Sequence, residues 1–135
     1  MSLRRKPRPA VADGVVISRG RILLVLRARE PELGKWAVPG GFLEFGETAE
    51  EAVAREVFEE TGVKVKPLRI TGVYSSPSRD PARQTVAIAF LCKPAGKMRP
   101  RGGDDAERAE WWPLSRLPKL AFDHGKIIRE ALAHK

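Results

Sequence analysis

Apolar positions along the chain fall into short runs broken by glycine, proline and charged residues, with a helical period in two places only. Residues 11–18 and 21–27 are apolar runs around Arg19-Gly20 and read as a β-hairpin. Residues 31–36 read as a loop, and Ala37-Val38 leads into Pro39-Gly40-Gly41, which is turn chemistry rather than helix. Residues 48–61 form the clearest helix. Thr48 with Glu51 three positions later makes a capping box, and Gly62 stands where a helix takes a left-handed terminal residue. Residues 63–74 read as one or two strands, 75–83 as a polar loop and 84–92 as a buried strand. Residues 100–107 read as a charged loop and 110–114 as a short aromatic strand. The span 122–133 predicts a second helix with Ile127, Ile128, Ala131 and Leu132 on one face. Strands, helix, strands, helix is the order of an α/β (α+β) chain with a mixed sheet packed between helices.

Length and composition narrow this to one packed domain. The 135 residues are 42% hydrophobic and 31% charged, enough for a core without disulfide staples. Cys92 is alone, and its apolar flanks predict a buried thiol in a reducing compartment. The longest apolar run, residues 86–92, is far short of the roughly 20 residues of a membrane span. The N-terminus lacks the apolar stretch of a signal peptide, so the expected location is cytoplasmic, with no membrane partner.

Charge adds one feature. Lys and Arg number 25 against 17 Asp and Glu, a net +8. Half of that excess is Arg4, Arg5, Lys6 and Arg8, beside Pro7 and Pro9. Residues 1–9 therefore read as a basic extended arm preceding a single domain over 10–135. Such an arm is a solvated tail or a contact for an anionic ligand or nucleic acid. No nucleic-acid recognition motif accompanies it, so nucleic acid is not the expected partner. A P-loop is excluded, because no Gly-Lys pair is followed by Ser or Thr.

Candidate chemistry concentrates on the first helix. Glu56, Glu59 and Glu60 share an arc of about 100° on one face, opposite the apolar side carrying Val53, Val57, Ala54 and Phe58. Three like charges so close repel one another, and at the helix C-terminus the macrodipole disfavours them too. A divalent cation would make the arrangement favourable, and hard carboxylate oxygens suit Mg²⁺ or Mn²⁺. Gly40 and Gly41 permit a close backbone approach to a ligand. Glu47 lies just ahead of the helix, and Arg55 can reach back to it or across to Glu59.

Together these residues form a recognisable pattern. Gly41, five residues, Glu47, seven residues, then Arg55-Glu56-Val57-Phe58-Glu59-Glu60-Thr61-Gly62-Val63 resembles the Nudix box at every defined position. A chance match is on the order of one in a billion per window. The resemblance implies the Nudix fold, an α/β/α sandwich, and hydrolysis of a nucleoside diphosphate linked to a further group X. It implies that Glu56, Glu59 and Glu60 bind the metal, helped by the Gly40 carbonyl, while Arg55 and Glu47 orient the carboxylates. It also implies a further acidic residue in the loop before the Glu110-Trp111 strand. Asp105 is the first candidate for a ligand or base, with Asp104, Glu107 and Glu110 as competitors.

Shorter segments bear on X. Pro77, Ser78-Arg79-Asp80-Pro81, Gly103-Asp104-Asp105-Ala106 and Ala121-Phe122-Asp123-His124 resemble small ADP-ribose pyrophosphatases, which are often homodimers. Dinucleoside polyphosphate hydrolases tend to carry a tyrosine near residues 79–81, where this chain has none. The expected reaction is therefore ADP-ribose to AMP and ribose 5-phosphate. The alternatives are a MutT-like hydrolase of oxidised nucleoside triphosphates and, from another class, a non-catalytic nucleotide- or nucleic-acid-binding module. Candidate substrate contacts are Gly41, Arg27, Arg79 and Arg83 for phosphate or ribose, and Trp36 and Tyr74 for stacking on adenine. Trp111 and Trp112 alternate on a strand, so at least one should be core.

Overall fold

A computed structural model describes residues 6–101 and 106–133. Nine elements of regular structure follow one another: β1 (Ala10–Ser18), β2 (Arg21–Arg27), β3 (Trp36–Ala37), β4 (Gly40–Phe42), α1 (Ala49–Thr61), β5 (Val65–Tyr74), β6 (Val86–Pro94), β7 (Ala106–Pro113) and α2 (His124–Ala133). A single 3₁₀ turn, Pro77–Arg79, interrupts the loop after β5.

The sheet order is β3-β2-β1-β6-β5, with β7 on β2 and β4 on β1. β1 runs parallel to β6, and its other pairings are antiparallel, so the sheet is mixed. Successive strand residues point to opposite faces. Val15, Leu24, Ala89 and Leu91 therefore meet Ile127, Ile128 and Ala131 of α2 on one side. Their neighbours Val16, Leu23, Phe90 and Cys92 meet Ala52, Val53 and Val57 of α1 on the other. Each fully buried aliphatic side chain contributes roughly 1.5–3 kcal/mol, and this alternation produces the α/β/α sandwich. Gly14 lets α1 approach, since a Cβ there would sit 2.9 Å from Val57 Cγ2.

α1 has the ends expected of it. Thr48 Oγ1 accepts from the Glu51 backbone N–H at 3.1 Å, and Glu51 Oε1 accepts from the Thr48 N–H at 2.9 Å. Gly62 closes the helix at φ 74° and donates its N–H to the Phe58 carbonyl. Cys92 is buried, which pushes its thiol up to about 12.

Three elements depart from the pattern reading. Gly40–Phe42 is a strand, because β1 offers it a free edge at Val11, Ala12 and Asp13. β7 starts before residue 110, where pairing with β2 recruits a charged stretch with no apolar signal. α2 starts at His124 because Phe122 lies in the left-handed region at φ 51°. The basic arm is partly docked: Arg8 donates to the carbonyls of Gln84 and Ser75, and Val86 N–H donates to the Pro9 carbonyl. Arg4 and Arg5 lie outside the described residues. Among the described residues no helix is long and apolar enough to cross a membrane.

Candidate active site

The site arises where two strands part. β1 and β2 pair only at Ile17–Ile22 and Ser18–Arg21. Beyond that β4 takes the place beside β1, and Gly14 N–H bonds the Pro39 carbonyl at the fork. The divergence opens a cleft of about 710 Å³. Its walls carry Asp13, Arg27, Gly40–Phe42, Glu56, Glu60, then Arg79, Asp80, Arg83 and Thr85, and Phe122 with His124.

Arg55 organises the acidic side. Its Nε and Nη2 donate to Glu47 Oε2 and Oε1 at 2.6 and 3.0 Å, and Nη2 also reaches the Phe42 carbonyl. Its Nη1 donates to Glu56 Oε1 at 2.7 Å and Glu59 Oε1 at 2.8 Å. One guanidinium thus offsets the repulsion that the sequence builds into this helix face. The Arg55 bonds, aided by a backbone N–H, hold the Glu47 carboxyl down at about 2, and the Glu47 bonds raise Arg55. Glu60 turns elsewhere, its Oε1 accepting from the Gly40 N–H at 2.8 Å.

The paired glycines make room for the protein's own carboxylates. A Cβ at Gly41 would strike the Glu56 carboxyl, and one at Gly40 would strike Asp13 Oδ1. Among the described residues no three His, Cys, Asp or Glu side chains form a ready-made metal cage. The donor chemistry nevertheless fits a hard divalent cation. Glu56, Glu59 and Glu60 supply carboxylate oxygens from one helix face, and two of them line the cleft beside the paired glycines Gly40 and Gly41.

A second polar group forms the other wall; the sequence offers Arg79, Arg83 and the segments holding Asp80, Asp123 and His124 separately, but not their pairing with one another. Arg79 forks onto Asp123 with two bonds of 2.9 Å and reaches Thr85 Oγ1 at 2.7 Å. Thr85 Oγ1 and Arg83 Nε both donate to Asp80 Oδ2, at 3.2 and 3.0 Å. His124 is buried, and its Nδ1 accepts from the Val38 N–H at 3.1 Å. Burial pushes the imidazole down to about 4. Asp13 is 6% exposed, and burial raises its carboxyl to about 7 against the pull of Arg79. A lone acidic residue inside the apolar run 11–18 was the available signal for it.

Two expected stacking residues belong to the core instead. Trp36 is 8% exposed and packs edge-on against Trp112 at 5.1 Å. Tyr74 is 7% exposed, packs in the α2-side core and donates its hydroxyl to Glu130. Neither lines the cleft, because strand alternation turns both toward α2. Arg27, Arg79 and Arg83 do line it. Arg27 bonds the Pro31 carbonyl and lies 5.0 Å over Phe122, while Arg83 lies 5.5 Å over Phe42. The Arg79 side chain is a buried strut rather than a free arm. Asp104 and Asp105 lie outside the described residues, and Glu110 pairs with Arg108 at 2.8 Å.

The NUDIX domain family model matches residues 7–131. The chain is a Nudix hydrolase. It is 49% identical over 128 residues to the ADP-ribose pyrophosphatase of Methanocaldococcus jannaschii, covering 94% of this chain and 75% of that protein. Among solved structures, this Nudix fold matches a bifunctional NMN adenylyltransferase/ADP ribose pyrophosphatase of Francisella tularensis complexed with AMP and a Mn ion. The TM-score is 0.83 at 28% identity, over 97% of this chain and 43% of that one, so the chain spans less than half of that enzyme. It also matches the Nudix domain of Shewanella oneidensis NrtR complexed with ADP ribose, with a TM-score of 0.82 and 26% identity over 96% of this chain and 90% of that one. Nudix hydrolases use divalent metals, in keeping with the carboxylate-rich wall of the cleft.

Proposed function

We propose that this Nudix hydrolase cleaves ADP-ribose to AMP and ribose 5-phosphate with Mg²⁺ or Mn²⁺. The observation that carries the reading is the cleft itself. Carboxylates Glu56 and Glu60 stand on one wall and arginines Arg27 and Arg83 on another. The 49% identity to an ADP-ribose pyrophosphatase supports the choice of substrate. Glu56, Glu59 and Glu60, with the Gly40 carbonyl, hold the metal in this reading. A bound divalent cation supplies charge neutralisation of the diphosphate and acidification of water. Arg55 and Glu47 act through the glutamates, fixing their orientation before substrate arrives. Arg27 and Arg83 suit planar contact with phosphate oxygens, and Phe42 and Phe122 offer aromatic surface beside them. The residue that takes the proton of the attacking water is Asp105 or a helix glutamate.

We also propose a homodimer. β5 is the sheet edge and leaves Leu68, Ile70 and Val73 exposed, an apolar row that a second copy would cover.

The test of the activity is product identification by mass with ADP-ribose, with and without Mg²⁺, for wild type, Glu59→Gln and Glu60→Gln. Wild type should yield AMP and ribose 5-phosphate only with metal, and each variant should lose at least about a hundredfold in turnover. Near-normal turnover in either variant at saturating Mg²⁺ would remove the metal assignment.

A further inference from the structure

Asp13 has a burial and a surrounding that the hydrolytic reading does not use. Its side chain is 6% exposed, yet it lines the cleft. Among the described residues no hydrogen bond or ion pair reaches its carboxyl group, although Arg79, Asp80, Thr85 and His124 around it are all hydrogen-bonded. Among the described residues the one fully enclosed side-chain polar atom without a partner is Trp112 Nε1, so the Asp13 oxygens keep their small exposure toward the cleft, and a donor for them would have to enter there. Gly40 stands opposite Asp13 in the β1–β4 ladder, where a Cβ would strike both Asp13 Oδ1 and the β1 backbone at the Ala12 carbonyl, so the glycine brings this strand close against the carboxyl.

The placement relative to Glu56 indicates what would pair with it. Gly40 and Gly41 are successive strand residues and face opposite sides of β4. The missing Cβ of Gly41 points at Glu56, and that of Gly40 points at Asp13. The two carboxyls therefore flank the same short strand from opposite faces, and both reach the same cleft. A diphosphate held on the Glu56 side would carry its flanking sugar across Gly40 to Asp13. A carboxylate is an acceptor with two oxygens, which suits the adjacent hydroxyls of a ribose and not a phosphate.

We propose that Asp13 is a substrate-binding residue that accepts hydrogen bonds from the hydroxyls of a ribose flanking the diphosphate, and so selects ribosyl substrates. The proposal rests on the ADP-ribose reading. It assigns Asp13 to binding, so truncation should appear chiefly in KM.

The experiment compares wild type, Asp13→Asn and Asp13→Ala on three substrates. These are ADP-ribose, the methyl ester of ADP, which lacks the terminal ribose, and ADP-ribose built on dideoxyadenosine. Thermal melts monitor folding, and Asp13→Asn retains the shape and one acceptor oxygen should the alanine variant fail to fold. On ADP-ribose, Asp13→Ala should raise KM at least tenfold with kcat changed less than threefold, and Asp13→Asn should fall between it and wild type. On the substrate lacking the contacted ribose hydroxyls, variants and wild type should agree within twofold, which also tells which ribose is bound. An equal penalty on all three substrates, or none on any, would overturn the role of Asp13 while leaving the ADP-ribose reading intact. Failure of wild type to hydrolyse ADP-ribose would overturn that reading and this proposal with it.

Discussion

Gly41 and Glu56 occupy the same small volume: a Cβ on the glycine would fall on the glutamate's carboxyl group. The glycine of the box is therefore required first by the protein's own side chain. Gly41→Ala should push Glu56 off its Arg55 contact. A displacement of about 1 Å at a reacting centre can cost about a hundredfold in rate, so kcat should fall by roughly that factor. Circular dichroism and steady-state kinetics on the same preparation check that the loss is local.

Arg55 and Glu47 are held together by two bonds of 2.6 and 3.0 Å. Because Glu47 titrates at about 2 when folded, below its ordinary value of 4.5, its pairing stabilises the fold at pH above about 4.5. The contribution is lost as pH falls toward 2. Arg55→Ala should therefore lie below wild type in stability near neutrality and converge on it in acid. Urea unfolding at a series of pH values measures the gap.

His124 is held as a neutral acceptor for the Val38 N–H, with its pKa lowered to about 4 from 6.5. The unfolded chain takes up its proton at higher pH than the folded one. Stability from this group is thus complete above pH 6.5 and declines down to pH 4, by on the order of 3 kcal/mol. Asp13 acts in the opposite sense, because its raised value makes the folded state lose stability as pH climbs toward 7. The two should partly cancel in wild type. Replacing the imidazole by an amide acceptor, His124→Asn, should remove the decline and leave stability rising on acidification from pH 7 to pH 4. Melting temperatures across that range check the sign.

The main elements were legible because their signals are local. The capping box at Thr48 and Glu51, the Gly62 stop and the apolar runs of β1, β2 and β6 are written in consecutive residues. The acidic face of α1 was legible for the same reason. What escaped depends on distant partners. Gly40–Phe42 becomes a strand only because β1 presents an edge, and Arg79 reads as a candidate substrate contact until Asp123, far along the chain, meets it. Trp36 and Tyr74 have the chemistry to stack on a base, but strand parity turns them to the core.

That correction is itself testable. Trp36→Phe should lower stability by about 1–3 kcal/mol through lost packing against Trp112, with KM for ADP-ribose unchanged within about twofold. A rise in KM without loss of stability would return Trp36 to the substrate site.

The exposed apolar row on β5 predicts a self-association that a single charge should abolish. Light scattering at micromolar concentration should give a dimer mass for wild type and a monomer mass for Ile70→Lys, with the fold retained. A monomeric wild type would contradict the dimer.

ADP-ribose is the proposed substrate of the cleft between Glu56 and Arg83. The most direct measurement is kcat/KM for ADP-ribose and for an oxidised dGTP, side by side at one Mg²⁺ concentration. A preference for ADP-ribose of about tenfold or more is the predicted result. A preference of that size for the triphosphate would contradict it.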